Sequence, residues 1–137
     1  MDVMSGPGID TPAGYTGTHR IGSGGGATVY RAWDERGARW VALKLFHRYV
    51  KNQAAVLAFQ DACGAIGRLT GHPSIVAVYA VGVTPTGRAW QSMRLAEGGT
   101  LGEALLRTGP VDQAWVLAAG VRLADALAHA HGLGVPH

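Results

Sequence analysis

A chain of 137 residues is the size of one small domain, and with 47% hydrophobic and 15% charged residues it has the apolar content to bury a core rather than stay disordered. Its formal charge of +3 is spread along the chain without a dense Lys/Arg run, which argues against nucleic acid as a partner. The single cysteine, Cys63, excludes an intrachain disulfide and a cysteine zinc cluster; it reads as a small packing residue in a cytoplasmic protein.

Residues 1–14 carry Gly6, Pro7, Gly8, Pro12 and Gly14 and are expected to form a flexible leader. With an acid at position 2 and no apolar stretch, they make neither a signal peptide nor a membrane anchor. From Tyr15 the pattern changes. Residues 16–21 read as a short strand, followed by the glycine cluster Gly22-Ser23-Gly24-Gly25-Gly26. Residues 27–34 and 39–46 are rich in β-branched and aromatic side chains, with a turn at Glu35-Arg36-Gly37, so three strands form an antiparallel sheet. Residues 51–69 have helical apolar spacing weakened by Gly64 and Gly67. Residues 75–83 read as a buried strand, 84–87 as a turn and 88–95 as the next strand. Thr100-Leu101-Gly102-Glu103 fits a helix-starting box for a short helix ending near Arg107. Asp112 caps a long helix from Gln113 to about His131, with Gly132 and Gly134 as stops. Its apolar run is broken by Arg122 and Asp125, as in a helix of a soluble protein. The order of three strands, helix, two strands and two helices predicts an α+β fold with a five-stranded antiparallel sheet.

Gly22 to Ala27 fit a GxGxxA string, which by itself is weak. A dinucleotide fold needs a helix to begin at the loop, whereas residues 27–33 alternate like a strand. A Walker loop needs Lys-Ser/Thr after its last glycine, and none stands there. A strand, glycine loop and strand instead make a flap whose bare backbone can close over phosphates, since side chains would hold the N–H groups away from the oxygens. Lys44, between Leu43 and Leu45, places a cation in an apolar strand, where it calls for an anion. His129 and His131, two apart on a helix, do not share a face, and no metal site is expected.

Taken together, IGSGGGATVYRAWD, VALK, GHPSIVAVYAVG, MRLAEGGTL and the closing AHGLGVPH resemble, in order, segments of the bacterial eukaryotic-like (Hanks-type) serine/threonine protein kinases. The resemblance runs from Tyr15 to His137, with Ala27 in place of the family's third loop glycine. It implies a kinase N-lobe over 15–95, built from the sheet and one regulatory helix, and the hinge and first two helices of an incomplete C-lobe over 96–137. It further implies that the chain binds ATP with Mg2+ and serves a protein substrate. By the same resemblance Gly22, Ser23, Gly24, Gly25, Gly26 and Ala27 form the phosphate flap. Lys44 contacts the α- and β-phosphates, Val29 and Ala42 roof the adenine, Leu95 lines its site and Met93 is the gatekeeper. The Arg94 carbonyl and Ala96 amide bond the base.

Two departures bear on activity. The glutamate expected to pair with Lys44 falls at Ala62, and Asp61, the one acid from Val41 to Ala96, sits about 100° round the helix. His137 matches the first residue of the catalytic loop, so the catalytic Asp and the Mg2+ ligands would lie beyond it. These residues alone are therefore expected not to transfer phosphate, and a pseudokinase or nucleotide-binding scaffold is the alternative. Trp115, Leu117, Ala118, Val121, Leu123, Leu127 and Ala130 are expected to be partly exposed and to favour self-association.

Overall fold

A computed structural model describes residues 10–137. In chain order it contains β1 (Tyr15–Ser23), β2 (Ala27–Asp34), β3 (Arg39–Tyr49), α1 (Gln53–Gly67), β4 (Val78–Val83), β5 (Arg88–Arg94), α2 (Leu101–Thr108) and α3 (Gln113–Gly132). All neighbouring strands are antiparallel, in the order β1-β2-β3-β5-β4. The α+β reading of the sequence and its element order are therefore what the chain adopts.

The sheet is organised by β3, its middle strand. Strand side chains alternate between faces, and Val41, Leu43 and Leu45 are each fully buried. They form a core with Ala32, against which Tyr15, Tyr30 and Trp90 pack. Ala42, Lys44 and Phe46 take the opposite face, where Phe46 meets Phe59 of α1 edge-on at 5.9 Å. Tyr15 closes the core from β1, its ring 5.4 Å from Trp90 and its hydroxyl donating to Ser92 Oγ at 2.9 Å.

Turn chemistry fixes the connections. Asp34 Oδ1 accepts from the N–H groups of Arg36 and Gly37, both at 3.1 Å, and a side chain at Gly37 would collide with the Asp34 carboxylate. The left-handed residue of this turn is Ala38, at φ 47°, rather than a glycine. Asn52 caps α1 by accepting from Ala55 N at 2.8 Å, so the helix starts two residues later than its apolar spacing suggests. Thr100 and Glu103 form the expected box at α2, and Asp112 caps α3 through Trp115 N at 2.8 Å.

Three expectations need correction. Residues 75–77 precede β4 rather than forming part of it, and β4 is half-buried because it is an edge strand paired only with β5. Ala130 is buried, because Leu69 beyond α1 and Val135 beyond α3 close over it, whereas Trp115, Leu117, Ala118, Val121, Leu123 and Leu127 are exposed. Of the leader expected over 1–14, residues 1–9 lie outside the described residues. The last part of it is bonded: Asp10 Oδ2 accepts from the hydroxyls of Thr84, at 2.6 Å, and Thr86, and the Gly14 carbonyl accepts from Glu35 N at 3.0 Å. Among the described residues no helix is long and apolar enough to cross a membrane.

Ser92 is fully buried, and the Tyr15 hydroxyl is the hydrogen-bond partner of its side chain. Tyr15→Phe should therefore cost about 1–2 kcal/mol in urea unfolding, with the sheet retained by circular dichroism. An unchanged midpoint would show that this bond contributes nothing net.

Candidate functional site

The glycine cluster is a hairpin between two strands, as its alternation suggested, and no helix starts there. Gly24 N donates to Ala27 O at 2.9 Å to close the turn. A side chain added at Gly22, Gly24, Gly25 or Gly26 would meet nothing within 4 Å, and none of the four has a left-handed φ. Neither crowding nor backbone conformation within the chain calls for glycine at these positions. What bare backbone permits there is close approach by something outside the chain.

Behind this hairpin lies a cavity of 760 Å3, a size suited to a small-molecule ligand. Of the residues singled out from sequence, it is lined by Gly22, Ser23, Val29, Ala42, Met93, Arg94, Leu95 and Ala96. The register explains the grouping: Val29 lies opposite Lys44, and Ala42 lies opposite both Arg31 and Met93, so these side chains share one face across three strands. Gly24, Gly25, Gly26, Ala27 and Lys44 are not part of the lining; Lys44 sits two residues along β3 from Ala42, on the same face. The cavity also takes in Ile21, Arg31, Val76, Glu97, Gly99, Thr100 and Glu103, which sequence reasoning did not assign to the site. Alternation from Val29 could have supplied Arg31, whose guanidinium stacks 3.9 Å over the Trp40 ring. Val76 comes from an irregular loop and carries no such signal.

Among the described residues no carboxylate pairs with Lys44, whose ammonium sits 5.1 Å from the Phe46 ring. The Ala96 N–H donates to no protein acceptor among them either. The site thus holds an unpaired cation and a free backbone donor beside an apolar cavity. No cluster of three or more His, Cys, Asp or Glu side chains among the described residues could hold a metal ion. A comparable cavity of 780 Å3, between the end of β3 and the start of α1, is lined by none of the glycine-hairpin residues, so volume does not choose between the two.

No protein-family model matches the chain. It is 37% identical over 125 residues to serine/threonine-protein kinase PknK of Mycobacterium tuberculosis, covering 91% of this chain and 11% of PknK. It is 39% identical over 120 residues to PknL of the same organism, covering 86% of this chain and 29% of PknL. The DNA damage-responsive serine/threonine-protein kinase RqkA of Deinococcus radiodurans is 36% identical over 123 residues, 85% of this chain and 18% of RqkA. In three dimensions the PknI kinase domain of M. tuberculosis matches with a TM-score of 0.77 at 26% identity, over 91% of this chain and 50% of that one. The chain is homologous to bacterial Hanks-type serine/threonine protein kinases. Its fold is that of a kinase N-lobe and the start of the C-lobe, and it spans between 11% and 29% of the length of these three bacterial relatives.

In this kinase homologue α1 turns Cys63 and the partly buried Val56, Phe59 and Ile66 inward, and burial raises the Cys63 thiol pKa. Ala62 and Asp61 are both exposed, and Asp61 forms no ion pair among the described residues. At the cavity mouth, the Thr100 backbone N–H donates to Glu103 Oε2 at 2.7 Å; this bond, then that of the Thr100 hydroxyl, holds the Glu103 pKa below the usual glutamate value. A lowered folded pKa stabilises the cap above the unfolded value, and that contribution is lost as pH falls through the folded one. The Thr100 amide resonance should therefore shift in acid with a midpoint below that of free glutamate, and Glu103→Gln should flatten the titration.

Proposed function

We propose that residues 15–137 form the ATP-binding portion of a serine/threonine protein kinase, divided into an N-lobe over 15–95 and the hinge and start of the C-lobe over 96–137. The observation that carries this reading is the unpaired Lys44 ammonium on the same sheet face as the cavity between the glycine hairpin and residues 93–96. In this reading the purine lies between Val29 and Ala42 above and Leu95 beside it, with Met93 at the rear. The Arg94 carbonyl and Ala96 N–H bond its edge. The triphosphate passes under Gly22–Ala27 and meets Lys44, with Mg2+ carried on it rather than held by these residues. The γ-phosphoryl acceptor is a protein Ser/Thr. The catalytic Asp is not among these 137 residues, so by themselves they bind without transferring.

The exposed Asp61 and the alanine at 62 favour a second reading, a pseudokinase or nucleotide-binding scaffold, because no carboxylate among the described residues fixes Lys44. The two readings part on catalysis: the native gene product either transfers labelled γ-phosphate to a generic protein acceptor or binds ATP without transfer.

In a thermal-shift titration MgATP should raise the melting temperature of the wild-type chain, and Lys44→Met should remove most of the rise at equal nucleotide concentration. Ala42→Phe, which fills the cavity roof, should abolish it. Equal shifts in wild type and Lys44→Met would take Lys44 out of the site. We also propose that the exposed apolar residues of α3 promote self-association. Sedimentation velocity should show a concentration-dependent species larger than the monomer, and a single sharp monomer at high concentration would refute this.

A further inference from the structure

One side chain outside the cavity touches both the tip and the β2 stem of the glycine hairpin. His47, on β3 three residues beyond Lys44, follows Phe46, which pairs with Ala27 at the start of β2. Its backbone N–H donates to Gly26 O at 2.9 Å. Its ring reaches the same hairpin twice: Nδ1 lies 3.3 Å from Gly25 O, and Nε2 lies 2.9 Å from Thr28 Oγ1. Thr28 Oγ1 in turn lies 3.5 Å from Ser23 Oγ on the opposite stem.

The bonding pattern assigns the tautomer. A carbonyl can only accept, so Nδ1 carries the proton that goes to Gly25 O, and in the neutral ring Nε2 accepts from the Thr28 hydroxyl. One imidazole thereby joins the tip of the hairpin to its β2 stem. The consequence for the loop follows from peptide planarity. In a trans peptide the C=O and the next N–H point in opposite directions, so drawing Gly25 O onto His47 turns the Gly26 N–H away from β3. The neighbouring glycines carry no side chain to pack, and even an added Cβ would meet nothing within 4 Å, so little else fixes that plane.

We propose that His47 is a positioning residue for the phosphate flap: it sets the orientation of the Gly25–Gly26 peptide, and so acts on a nucleotide's phosphates through the loop rather than by touching them. The proposal deepens the nucleotide reading above and rests on it. It requires that His47 matter for a ligand with phosphates and not for one without.

The test is calorimetric titration of the 137-residue chain with MgATP and, separately, with adenosine. Variants are His47→Ala, His47→Gln and Thr28→Val. Losing one hydrogen bond's worth of preorganisation should weaken MgATP binding by about fivefold to tenfold in His47→Ala, leaving adenosine within about twofold of wild type. Thr28→Val should weaken MgATP in the same direction by less. His47→Gln, whose amide can both donate and accept, should recover most of the loss. MgATP affinity in His47→Ala equal to wild type overturns the assignment while leaving the nucleotide site standing. A parallel loss of MgATP and adenosine also overturns it, since His47 would then support the fold and not the flap. If wild type itself takes up no MgATP, the nucleotide reading falls and this assignment with it.

Discussion

The molecule depends on the two-residue period of β3. A central strand paired on both sides has no freedom to rotate its side chains, so placing Val41, Leu43 and Leu45 in the core forces Ala42, Lys44 and Phe46 onto the other face. A one-residue slip would put the ammonium into a fully buried layer and three apolar side chains into the open. Burying those three side chains contributes on the order of 1.5–3 kcal/mol each. Core packing therefore determines where the cation stands, although the core and the cation do not touch.

From that register the rest of the site follows by adjacency. Val29 and Met93 are held to the β3 face by ladder pairing, and β2 begins where the glycine hairpin ends. The hairpin is the part of the site least constrained by the chain's own packing, because a side chain added at any of Gly22, Gly24, Gly25 and Gly26 would meet nothing within 4 Å. Its order comes from backbone bonds at its stems and from the imidazole on β3. The site thus joins a rigid apolar back wall to a thin front of bare backbone.

Much of this was legible in the sequence because strands and capped helices advertise themselves locally. The alternation after Gly26 distinguished a strand from a helix, and Thr100 with Glu103 marked the start of α2. The family resemblance implied Val29 and Ala42 as a roof and Met93 as a gatekeeper, and ladder register puts the three on one face of the sheet. What stayed hidden was set by tertiary neighbours. The edge position of β4 decides its exposure, and nothing within residues 75–83 reveals it. Ala130 is covered by Leu69, 61 positions away in the chain (130 − 69), and by Val135. Val76 enters the cavity from an irregular loop, and His47 looks like an ordinary exposed strand residue until its ring is seen against the hairpin. Asn52 was a readable cap that the apolar pattern alone passed over.

The small apolar cluster of Leu69, Ala130 and Val135 has a mechanical consequence. It joins the chain just after α1 to the far end of α3, apart in sequence from the segment that links β5 to α2. Two bodies tied at a covalent strap and at a second, greasy contact can swing only about the line through both. That line is a fulcrum. Displacement grows with distance from it, so a small rotation can leave Leu69 and Ala130 in contact while the parts far from the line move most.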